Sequence, residues 1–424
     1  MDLICLSEVH IKQYPSSDFP DRSQEFNFNF FAEYDVLSGW PDLTSKGKIK
    51  FPKNIWVKDK NGNTINLGGE IGGDINNLPI NAPLGKQPAI VMRGDFMTLK
   101  VGYGYFDTSG NPKIIKNQLA ANWVSKVANQ LLIEIDYEDH MYLLKQVQAP
   151  NKVWGATQYT LESMMTELLD LVNTVKADRL QGIKLTLANN PQVSTKIGDF
   201  RTQNETVCQV LERLQKTFKF ESFFRGSQLH CGCIVYYPGE GTEHSFVFEK
   251  NIVPGDSLNY TRADDIQLSL TAYSVNKTEL LTTTKSGRLK TKKQRLEVTI
   301  TNINGEYVEV NTKDPKQKES LGQMRTMFFW DIQTAAELKT KAISMLRRLY
   351  YEGYRGKFTT FALPFVQHGD IAVISSIKLP ERYGKYFVKS VRYFGSPEGG
   401  MWQEVELDLR IDGVLTDEQL LTGL

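Results

Sequence analysis

Four carboxylates lie close together in the stretch LLIEIDYED: Glu134, Asp136, Glu138 and Asp139. A pair of carboxylates flanking a sugar linkage performs glycoside hydrolysis, one as the acid and the other as base or nucleophile. The alternation of apolar and acidic residues predicts a strand that carries Glu134, Asp136 and Glu138 on one face. No neighbouring residue would raise a carboxyl pKa, so we interpret this face as solvated or as an interface and predict no catalytic residue.

The other residues with suitable chemistry form no complete site. His230 lies beside Cys231 and Cys233, but on a strand the two cysteines share one face and the histidine points away, which disfavours a shared metal ion. The glycine-rich stretch GGEIGGD, from Gly68, lacks the Lys-Ser/Thr pair and the following helix of a phosphate-binding loop. We therefore predict no metal and no cofactor.

A local run of basic residues lies in a predicted hairpin arm. Such charge can contact phosphates, but single-strand binding modules add stacking aromatic residues, and this stretch has none. The run therefore predicts either a solvated hairpin arm or a basic contact patch for an acidic partner, with nucleic-acid binding as the weaker alternative. Its members are Lys285, Arg288, Lys290, Lys292, Lys293 and Arg295.

Composition narrows the class of protein. The chain has 424 residues, of which 41% are hydrophobic and 23% charged, as expected for several globular domains. Fifty basic and 49 acidic residues give a net charge of +1, so no global field draws the chain to nucleic acid or a membrane. The chain has only four cysteines, and its start does not follow a signal-peptide pattern. No apolar run approaches the ~20 residues of a membrane helix. These features predict synthesis in a reducing cytoplasm.

Hydrophobic periodicity separates the first two regions. Residues 1–150 alternate with a period of two, as in EFNFNFFAEYDV, and predict an N-terminal β-barrel domain. Residues 151–245 carry two helical stripes and a hairpin, and predict a small α+β domain. Thr160, and Thr202 with Glu205, are predicted to cap its helices.

The third region, 246–424, predicts a second barrel. Its strands come from about 256–276 and 357–412, and an α+β segment is inserted at about 277–356. In the second region, a hairpin turn is predicted at Arg225-Gly226-Ser227-Gln228. The predicted fold class is a mixed, β-rich α+β fold, in which two related β-barrel domains have smaller α+β domains inserted between them.

Two Gly-Asp pairs precede predicted strands in the same way: Gly94-Asp95 in RGDFMTLKV and Gly369-Asp370 in HGDIAVISS. Glycine tolerates the positive φ of a tight turn, and aspartate can bond back to the backbone as the chain enters a strand. The Arg93-Gly94-Asp95 triplet could instead be a ligand for a cell-surface receptor. However, the Gly-Asp pair occurs again before a strand at Gly369-Asp370, without the arginine, which favours a turn. We predict that both pairs are turns into the strands of related barrels.

The order of these patterns resembles that of phage tail hub proteins, which are the baseplate hubs of long-tailed phages, and of the related base of type VI secretion spikes. The C-terminal likeness rests on ELKTKAISMLRRLYYEGYRGKFTTFALPFVQHGDIAVI, followed by a strand with Gly384, Tyr386, Val388 and Val391 in a G-Y-V--V pattern. The N-terminal likeness rests on RGDFMTLKVGYG and IEIDYEDHMYLLK, and the middle one on TVCQVLERLQKTFKFESFFRGSQLHCG.

This resemblance implies two barrel domains that pack as a homotrimer into a pseudo-sixfold ring, without catalysis. The ring would join the tail tube, or a distal tail protein, to the central spike or fibre. Because no needle or lysozyme domain follows Leu424 in the sequence, we expect the spike or fibre to be a separate protein. The expected location is the virion tail, at the baseplate or tail tip, after synthesis in the host bacterial cytoplasm, with transient DNA contact during ejection.

A second function stays open from the sequence. A tail-associated cell-wall glycosidase or carbohydrate-binding component would turn the acidic strand or the aromatic residues towards sugar. Glu134 and Glu138 are the side chains whose replacement by glutamine would separate an enzyme from a structural protein.

Overall fold

The computed structural model describes residues from both ends of the chain and from the regions between them. They are 4–17, 19–40, 42–58, 64–66, 89–107, 109–119, 122–129, 131–155, 159–188, 200–218, 221–232, 241–253, 258–262, 268–283, 289–303, 306–311, 314, 321–329, 332, 334–349 and 352–411. The Gly68–Pro88 loop, whose role the sequence left open, lies outside these residues.

Strands form most of the regular structure. They are β1 (Ile4–Lys12), β2 (Glu25–Phe28), β3 (Glu33–Gly39), β4 (Lys46–Phe51), β5 (Trp56–Lys58), β6 (Thr64–Asn66), β7 (Phe96–Phe106), β8 (Pro112–Gln118), β9 (Asn122–Asn129), β10 (Ile133–Glu138), β11 (Val153–Trp154), β12 (Thr186–Leu187), β13 (Phe200–Arg201), β14 (Glu221–Arg225), β15 (Gln228–Gly232), β16 (Glu243–Val247), β17 (Asn259–Thr261), β18 (Leu268–Thr283), β19 (Leu289–Ile303), β20 (Glu306–Glu309), β21 (Gln323–Phe329), β22 (Gly353–Arg355), β23 (Lys357–Phe361), β24 (Ile371–Ser375), β25 (Gly384–Ser396) and β26 (Gly400–Arg410). The helices are α1 (Met141–Leu144), α2 (Leu161–Val175), α3 (Ala177–Leu180), α4 (Val207–Phe218) and α5 (Ala335–Leu349), with a 3-10 turn at Pro380–Arg382.

One large sheet joins strands from both ends of the chain. Its order is β16-β24-β25-β3-β4-β10-β9-β7-β1-β2, and three further strands lie off this path: β26 beside β25, β23 beside β26, and β8 beside β7. The two ends meet at the antiparallel pair β3–β25, in register from Gly39 opposite Ser390 to Tyr34 opposite Gly395. A Cβ at Gly39 would lie 2.5 Å from the Ser390 Cβ, so this close approach requires glycine. Buried residues from both ends of the chain therefore form one hydrophobic core.

A second unit packs helices α2 and α4 against the short sheet β12-β15-β14. Its core is separate from that of the large sheet and includes Met164, Leu168 and Leu211. The predicted hairpin is confirmed, since β14 and β15 are antiparallel with Arg225 opposite Gln228. The apolar residues at helical spacing thus face the sheet, as an amphipathic helix requires.

The two predicted helix caps of this unit had different outcomes. The cap of α2 is confirmed, because the Thr160 hydroxyl accepts a hydrogen bond from the Ser163 N–H at 3.1 Å. The cap predicted at Thr202 is wrong. Helix α4 begins directly after Thr206, whose hydroxyl accepts from the Gln209 N–H at 3.3 Å while the Gln209 side chain accepts from the Thr206 N–H at 2.8 Å. The same Thr-x-x-acceptor pattern occurs twice in succession, and the Thr202 hydroxyl is used in contacts outside the helix.

A third unit consists of the sheet β20-β19-β18-β21 and helix α5, which covers it. Strands β18 and β21 are parallel, and the other pairs are antiparallel. We predicted that residues 256–276 belong to the second barrel, but residues 268–276 pair within this sheet instead. The reason is that β18 runs on past residue 276 and pairs with β19 on both sides of its irregularity between Asn276 and Leu280. The division into domains as a whole stays a prediction.

The predicted β-rich class is confirmed, since strands dominate and helices are few among the described residues. The two barrels are not established, because the pairings between described strands follow an open path and close no barrel. Among the described helices, none combines the length and apolar character needed to cross a membrane.

Candidate functional site

The Gly94-Asp95 turn leads the chain into β7. Gly94 has a φ of 92°, which side chains with a Cβ rarely adopt. The Asp95 N–H donates to the Met92 carbonyl at 3.1 Å, and the Asp95 carboxylate accepts from the Met92 N–H at 2.7 Å. The Gly94 N–H donates to the Val124 carbonyl at 2.8 Å, and the Val124 N–H donates to the Asp95 carbonyl at 2.9 Å. The turn is thereby bonded to β9 as β7 begins.

The Gly369-Asp370 turn leads the chain into β24. Gly369 has a φ of 86°. The Asp370 N–H donates to the Gln367 carbonyl at 3.1 Å, and the Asp370 carboxylate accepts from the Gln367 N–H at 2.8 Å. The Gly369 N–H donates to the Val388 carbonyl at 2.8 Å, and the Val388 N–H donates to the Asp370 carbonyl at 2.8 Å. This turn is bonded to β25 by the same four types of hydrogen bond that fix the first turn to β9.

The equivalence continues into the strands. Phe96, the first residue of β7, lies opposite Trp123, the residue before Val124. Ile371, the first residue of β24, likewise lies opposite Phe387, the residue before Val388. The two turns therefore present their strands to a neighbouring strand in the same register.

An arginine lies over the glycine of each turn. A methyl group at Gly94 would lie 3.4 Å from the Nη1 of Arg179, and one at Gly369 would lie 3.2 Å from the Nη1 of Arg225. Arg179 is in α3 and Arg225 ends β14, so both arginines come from the second unit. That unit therefore contacts both turns with the same kind of side chain.

The carboxylate of the first turn is buried in an ion pair. The exposed fraction is 1% for the Asp95 side chain and 4% for that of Arg22. The two Arg22 nitrogens Nη1 and Nη2 donate to the two Asp95 oxygens at 2.9 and 2.7 Å, and the Tyr14 N–H donates to the same carboxylate at 3.1 Å. Such bidentate pairs fix the carboxylate strongly. A receptor could not reach this carboxylate, so the Arg93-Gly94-Asp95 triplet is not displayed as a ligand.

The carboxylate of the second turn has different partners. Arg225 donates to Asp370 at 3.0 Å, the Nε2 of His244 lies 3.1 Å from it, and the Thr242 N–H donates to it at 3.3 Å. Burial raises the pKa of Asp370, but the contacts with His244, the Gln367 N–H and the Arg225 charge together hold it below its usual value. Asp370 is therefore ionised at neutral pH and anchors β14 and β16 to the turn.

The carboxylates on the acidic face of β10 form ion pairs with lysines. Lys48 lies 3.2 Å from Glu134 and 3.8 Å from Asp136, and Lys145 lies 2.5 Å from Glu138. These pairs lie between neighbouring strands or at the end of β10, and each side chain is partly exposed. Cross-strand ion pairs of this kind stabilise a sheet surface and leave no unpaired carboxylate for acid catalysis on this face.

The fourth acidic residue, Asp139, has a different environment. Burial raises its pKa to about 7, against the opposing effect of hydrogen bonds from the Ser45 and Met141 N–H groups at 2.8 and 2.9 Å. A raised carboxyl pKa is what a glycosidase acid needs. However, Asp139 is only 3% exposed and holds the start of α1 against β4, so it does not reach a substrate.

The other predicted residues are only partly described. In the basic run, Lys285 and Arg288 lie outside the described residues, and the backbone of 290–295 belongs to β19. Cys233 also lies outside them, while His230 and Cys231 are buried in β15. Among the described residues, no group of three or more histidine, cysteine or acidic side chains is arranged to hold a metal ion.

A chain of buried histidines was not predicted from the sequence. The Nδ1 of His368, directly before the second turn, lies 2.8 Å from the Ser38 hydroxyl of β3. Phe223 packs between His368 and His230, with ring centroids 4.9 Å from each. Burial lowers the pKa of His368 to about 3 and that of His230 to about 4, with a further decrease from Arg225 in both cases. Both rings are therefore neutral and link β3, β14 and the second turn.

Solved structures of tail proteins share this fold over nearly the whole chain. The tail protein from Neisseria meningitidis MC58 has a TM-score of 0.50 and 13% identity, and the match covers 97% of this chain and 98% of that one. The 43 kDa tail protein of prophage MuSo2 from Shewanella oneidensis has a TM-score of 0.50 and 11% identity, with 95% and 97% covered. These two structures confirm, at the level of the fold, the resemblance to phage tail proteins.

More distant similarity adds little. A component of the type VI secretion system of E. coli has a TM-score of 0.42 and 8% identity, with 90% of this chain and 74% of that one covered. No model of a protein family matches the sequence, and no curated protein matches it.

Proposed function

We propose that this chain is a structural tail hub protein of a phage or phage-like injection system. It forms a homotrimeric, pseudo-sixfold ring that joins the tail tube, or a distal tail protein, to a central spike or fibre. Support comes from the fold shared with two tail proteins along the whole chain and from the pair of equivalent turns within it.

The observation that carries this proposal is the repeated geometry of the turns. Gly94-Asp95 and Gly369-Asp370 each direct a strand against its neighbour through the same four types of hydrogen bond. Corresponding bonds in the two turns differ in length by about 0.1 Å or less. Each turn belongs to one of two related β-barrel domains in the proposed arrangement, and the pair β3–β25 joins the two domains. Three chains would then supply six near-equivalent positions, which matches a tube of sixfold symmetry to a threefold spike.

The second unit has a defined part in this arrangement. Arg179 donates to the Gly94 carbonyl at 2.8 Å and to the Pro15 carbonyl at 3.1 Å, while Arg225 donates to Asp370 at 3.0 Å. By bonding to both turns, the unit fixes the spacing between the two proposed barrel domains. A ring needs that spacing to be constant, because each chain must meet its neighbours at the same angle.

The proposed partners follow from this role. The ring would contact a second and third copy of itself, the tail tube or distal tail protein, and a separate spike or fibre. The basic run from Lys285 to Arg295 is a proposed contact patch for an acidic partner and for transient contact with DNA during ejection. The protein would be made in the host cytoplasm and reside in the virion tail.

The rival proposal, a cell-wall glycosidase or carbohydrate-binding component, is not favoured by a specific observation. Lys48 and Lys145 form ion pairs with the partly exposed carboxylates of Glu134 and Glu138 in β10, and Asp139 is buried. We therefore propose a role without catalysis.

The mass of the purified protein tests the proposal. Sedimentation equilibrium should give three times the 48.2 kDa of the chain for the protein alone, or, after addition of the tail-tube protein, a complex that contains three copies of the chain. A mass of one chain under both conditions would contradict the proposed ring.

A further inference from the structure

A cavity of about 240 Å³ opens beside the first turn. It lies between the turn, strand β9, helix α1 and helix α3. Its lining consists of Arg93, Gly94, Trp123, Tyr142, Leu143, Gln146 and Arg179. The cavity thus sits where the second unit contacts the large sheet.

Two of the residues that line the cavity, Arg93 and Tyr142, have side-chain donors that make no hydrogen bond in the part of the chain that the structure describes. Arg93 is exposed, and its guanidinium makes no ion pair or hydrogen bond there. Tyr142 is only 7% exposed, yet its hydroxyl also has no hydrogen-bond partner among these residues. That hydroxyl would lie 3.7 Å from a methyl group at Gly94, at the wall of the cavity. The hydroxyl is not among the buried polar atoms that lack a partner, so it is open to the cavity and can donate to an acceptor that enters it.

Arg179 and Gln146, the other polar residues of the lining, also favour a ligand that is negatively charged and accepts hydrogen bonds. Arg179 uses its Nη atoms on backbone carbonyls, so its positive charge is not neutralised by them. The Asp178 carboxylate lies 3.8 Å from Nε and its side chain is 74% exposed, so water screens this ion pair. The Gln146 carbonyl accepts from Lys176 at 3.0 Å, which leaves its amide N–H groups for another acceptor. No acidic side chain is among the lining residues.

We propose that this cavity binds the carboxylate of an aspartate or glutamate side chain from a neighbouring protein in the assembly. The identity of that neighbour as a tail protein rests on the proposed function, whereas the binding of a carboxylate does not. Arg93 would pair with the carboxylate, Tyr142 would donate to it, and Trp123 and Leu143 would pack against its aliphatic stem. Arg is the residue that best matches a planar carboxylate.

The size and shape of the cavity favour a side chain over other anions. Small-molecule sites occupy about 300–1,000 Å³, so this volume is below that of a nucleotide or metabolite site. A phosphodiester is carried between two sugars and needs a groove that lets the backbone run through. A carboxylate at the end of a side chain needs only one opening.

The test measures binding of N-acetyl-L-glutamate α-amide, whose only carboxylate is that of the side chain, to the purified full chain by calorimetry and by tryptophan fluorescence. N-acetyl-L-glutamine α-amide serves as the neutral probe of the same shape, and inorganic phosphate as the phosphodiester mimic. The variants are Arg93→Ala and Tyr142→Phe. Arg262→Ala is the matched control, because Arg262 is also exposed and lies outside the cavity.

The expected result is saturable binding of the glutamate probe, weakened about tenfold or more by Arg93→Ala and several-fold by Tyr142→Phe. Arg262→Ala should bind like the wild type, and the glutamine probe should not bind. The proposal is overturned by absent binding to the wild type, by equal binding to Arg93→Ala and Arg262→Ala, or by tighter binding of phosphate than of the glutamate probe. Because Arg93 makes no bond within the described chain, its replacement should leave the fold intact.

A second measurement separates this proposal from the proposed ring. The mass of the Arg93→Ala variant is compared with that of the wild type, alone and with the tail-tube protein. A wild-type trimer that fails to bind the glutamate probe overturns the cavity proposal alone, and a wild-type monomer that binds the probe overturns the ring alone. An Arg93→Ala variant that stays trimeric but loses the probe supports both proposals.

Discussion

Replacement of Asp95 by asparagine should be the most damaging change at the two turns. The substitution keeps the shape of the side chain but removes the charge, and it leaves Arg22, which is 4% exposed, without a counter-ion. Breaking a buried pair by removal of one partner costs about 3–5 kcal/mol, because the remaining charge cannot be solvated. The free energy of unfolding should fall by about that amount.

Two matched substitutions, at ion pairs that are less buried, should cost less stability than Asp95→Asn. In Asp370→Asn, the arginine partner Arg225 is 30% exposed and can be rehydrated, so the loss should be about 1–3 kcal/mol. In Asp35→Asn, the pair with Arg392 lies on the surface with both side chains more than 40% exposed, and the loss should be below ~1 kcal/mol. The order of loss should therefore follow the burial of the arginine.

Urea denaturation followed by tryptophan fluorescence measures these losses, and hydrogen exchange of the β7 and β9 amides locates them. Exchange is needed because the described residues form three separate cores, which can unfold in separate steps. If Asp95→Asn destabilises the protein no more than Asp35→Asn, the ion pair does not hold the first turn and our reasoning fails.

Three further predictions concern the turn glycine, pH and catalysis. Gly369→Ala should cost about 1–2 kcal/mol because of the positive φ, whereas Gly155→Ala, with open space around the new methyl group, should be nearly neutral in the same urea titration. The second of these predictions concerns pH. The pKa of His368 is lowered to about 3, so the folded protein resists protonation of this ring. The resulting stability is fully present above the ordinary histidine pKa of ~6.5 and is lost as pH falls from there towards 3. The raised pKa of Asp139, about 7, gives stability that is present below its ordinary value near ~4 and is lost as pH rises through 7. These two effects oppose each other where their pH ranges overlap, so the midpoints of each variant are compared with those of the wild type between about pH 3 and 8. Relative to the wild type, His368→Gln should lose less stability as pH falls, and Asp139→Asn should lose less as pH rises. Finally, neither the wild type nor Glu134→Gln should release dye from labelled peptidoglycan, with lysozyme as the positive control.

Each of these has an outcome that contradicts it. Equal losses for the Gly369 and Gly155 variants would mean that the turn relaxes to accept a side chain. An unchanged acid side in His368→Gln would assign the loss to other groups. Dye release that disappears in Glu134→Gln would restore the glycosidase interpretation.

Local patterns in the sequence predicted local structure well. The Thr160 cap and the hairpin at Gly226 were predicted because each depends on a few neighbouring residues. The Thr202 cap was wrong because the next threonine offers the same pattern, and only packing decides between them. Local chemistry thus predicts which kind of element forms better than where it begins.

The contacts that hold the turns could not be predicted in this way. Arg22 is 73 residues from Asp95 in the sequence, and Arg225 is 145 residues from Asp370. The pair β3–β25 joins residues from opposite ends of the chain. Nothing in the spacing of such residues marks them as partners, because long-range pairing is decided by the folded core. The same holds for His368 and Ser38, whose contact depends on that core.

Class-averaged electron microscopy of the purified protein, with tail-tube protein added where needed, tests the central proposal most directly. The proposal predicts threefold rings with a central channel, in which Gly94 and Gly369 lie at similar radii and alternate around the ring. Rings of another symmetry, or threefold rings with the two turns at clearly different radii, would contradict it.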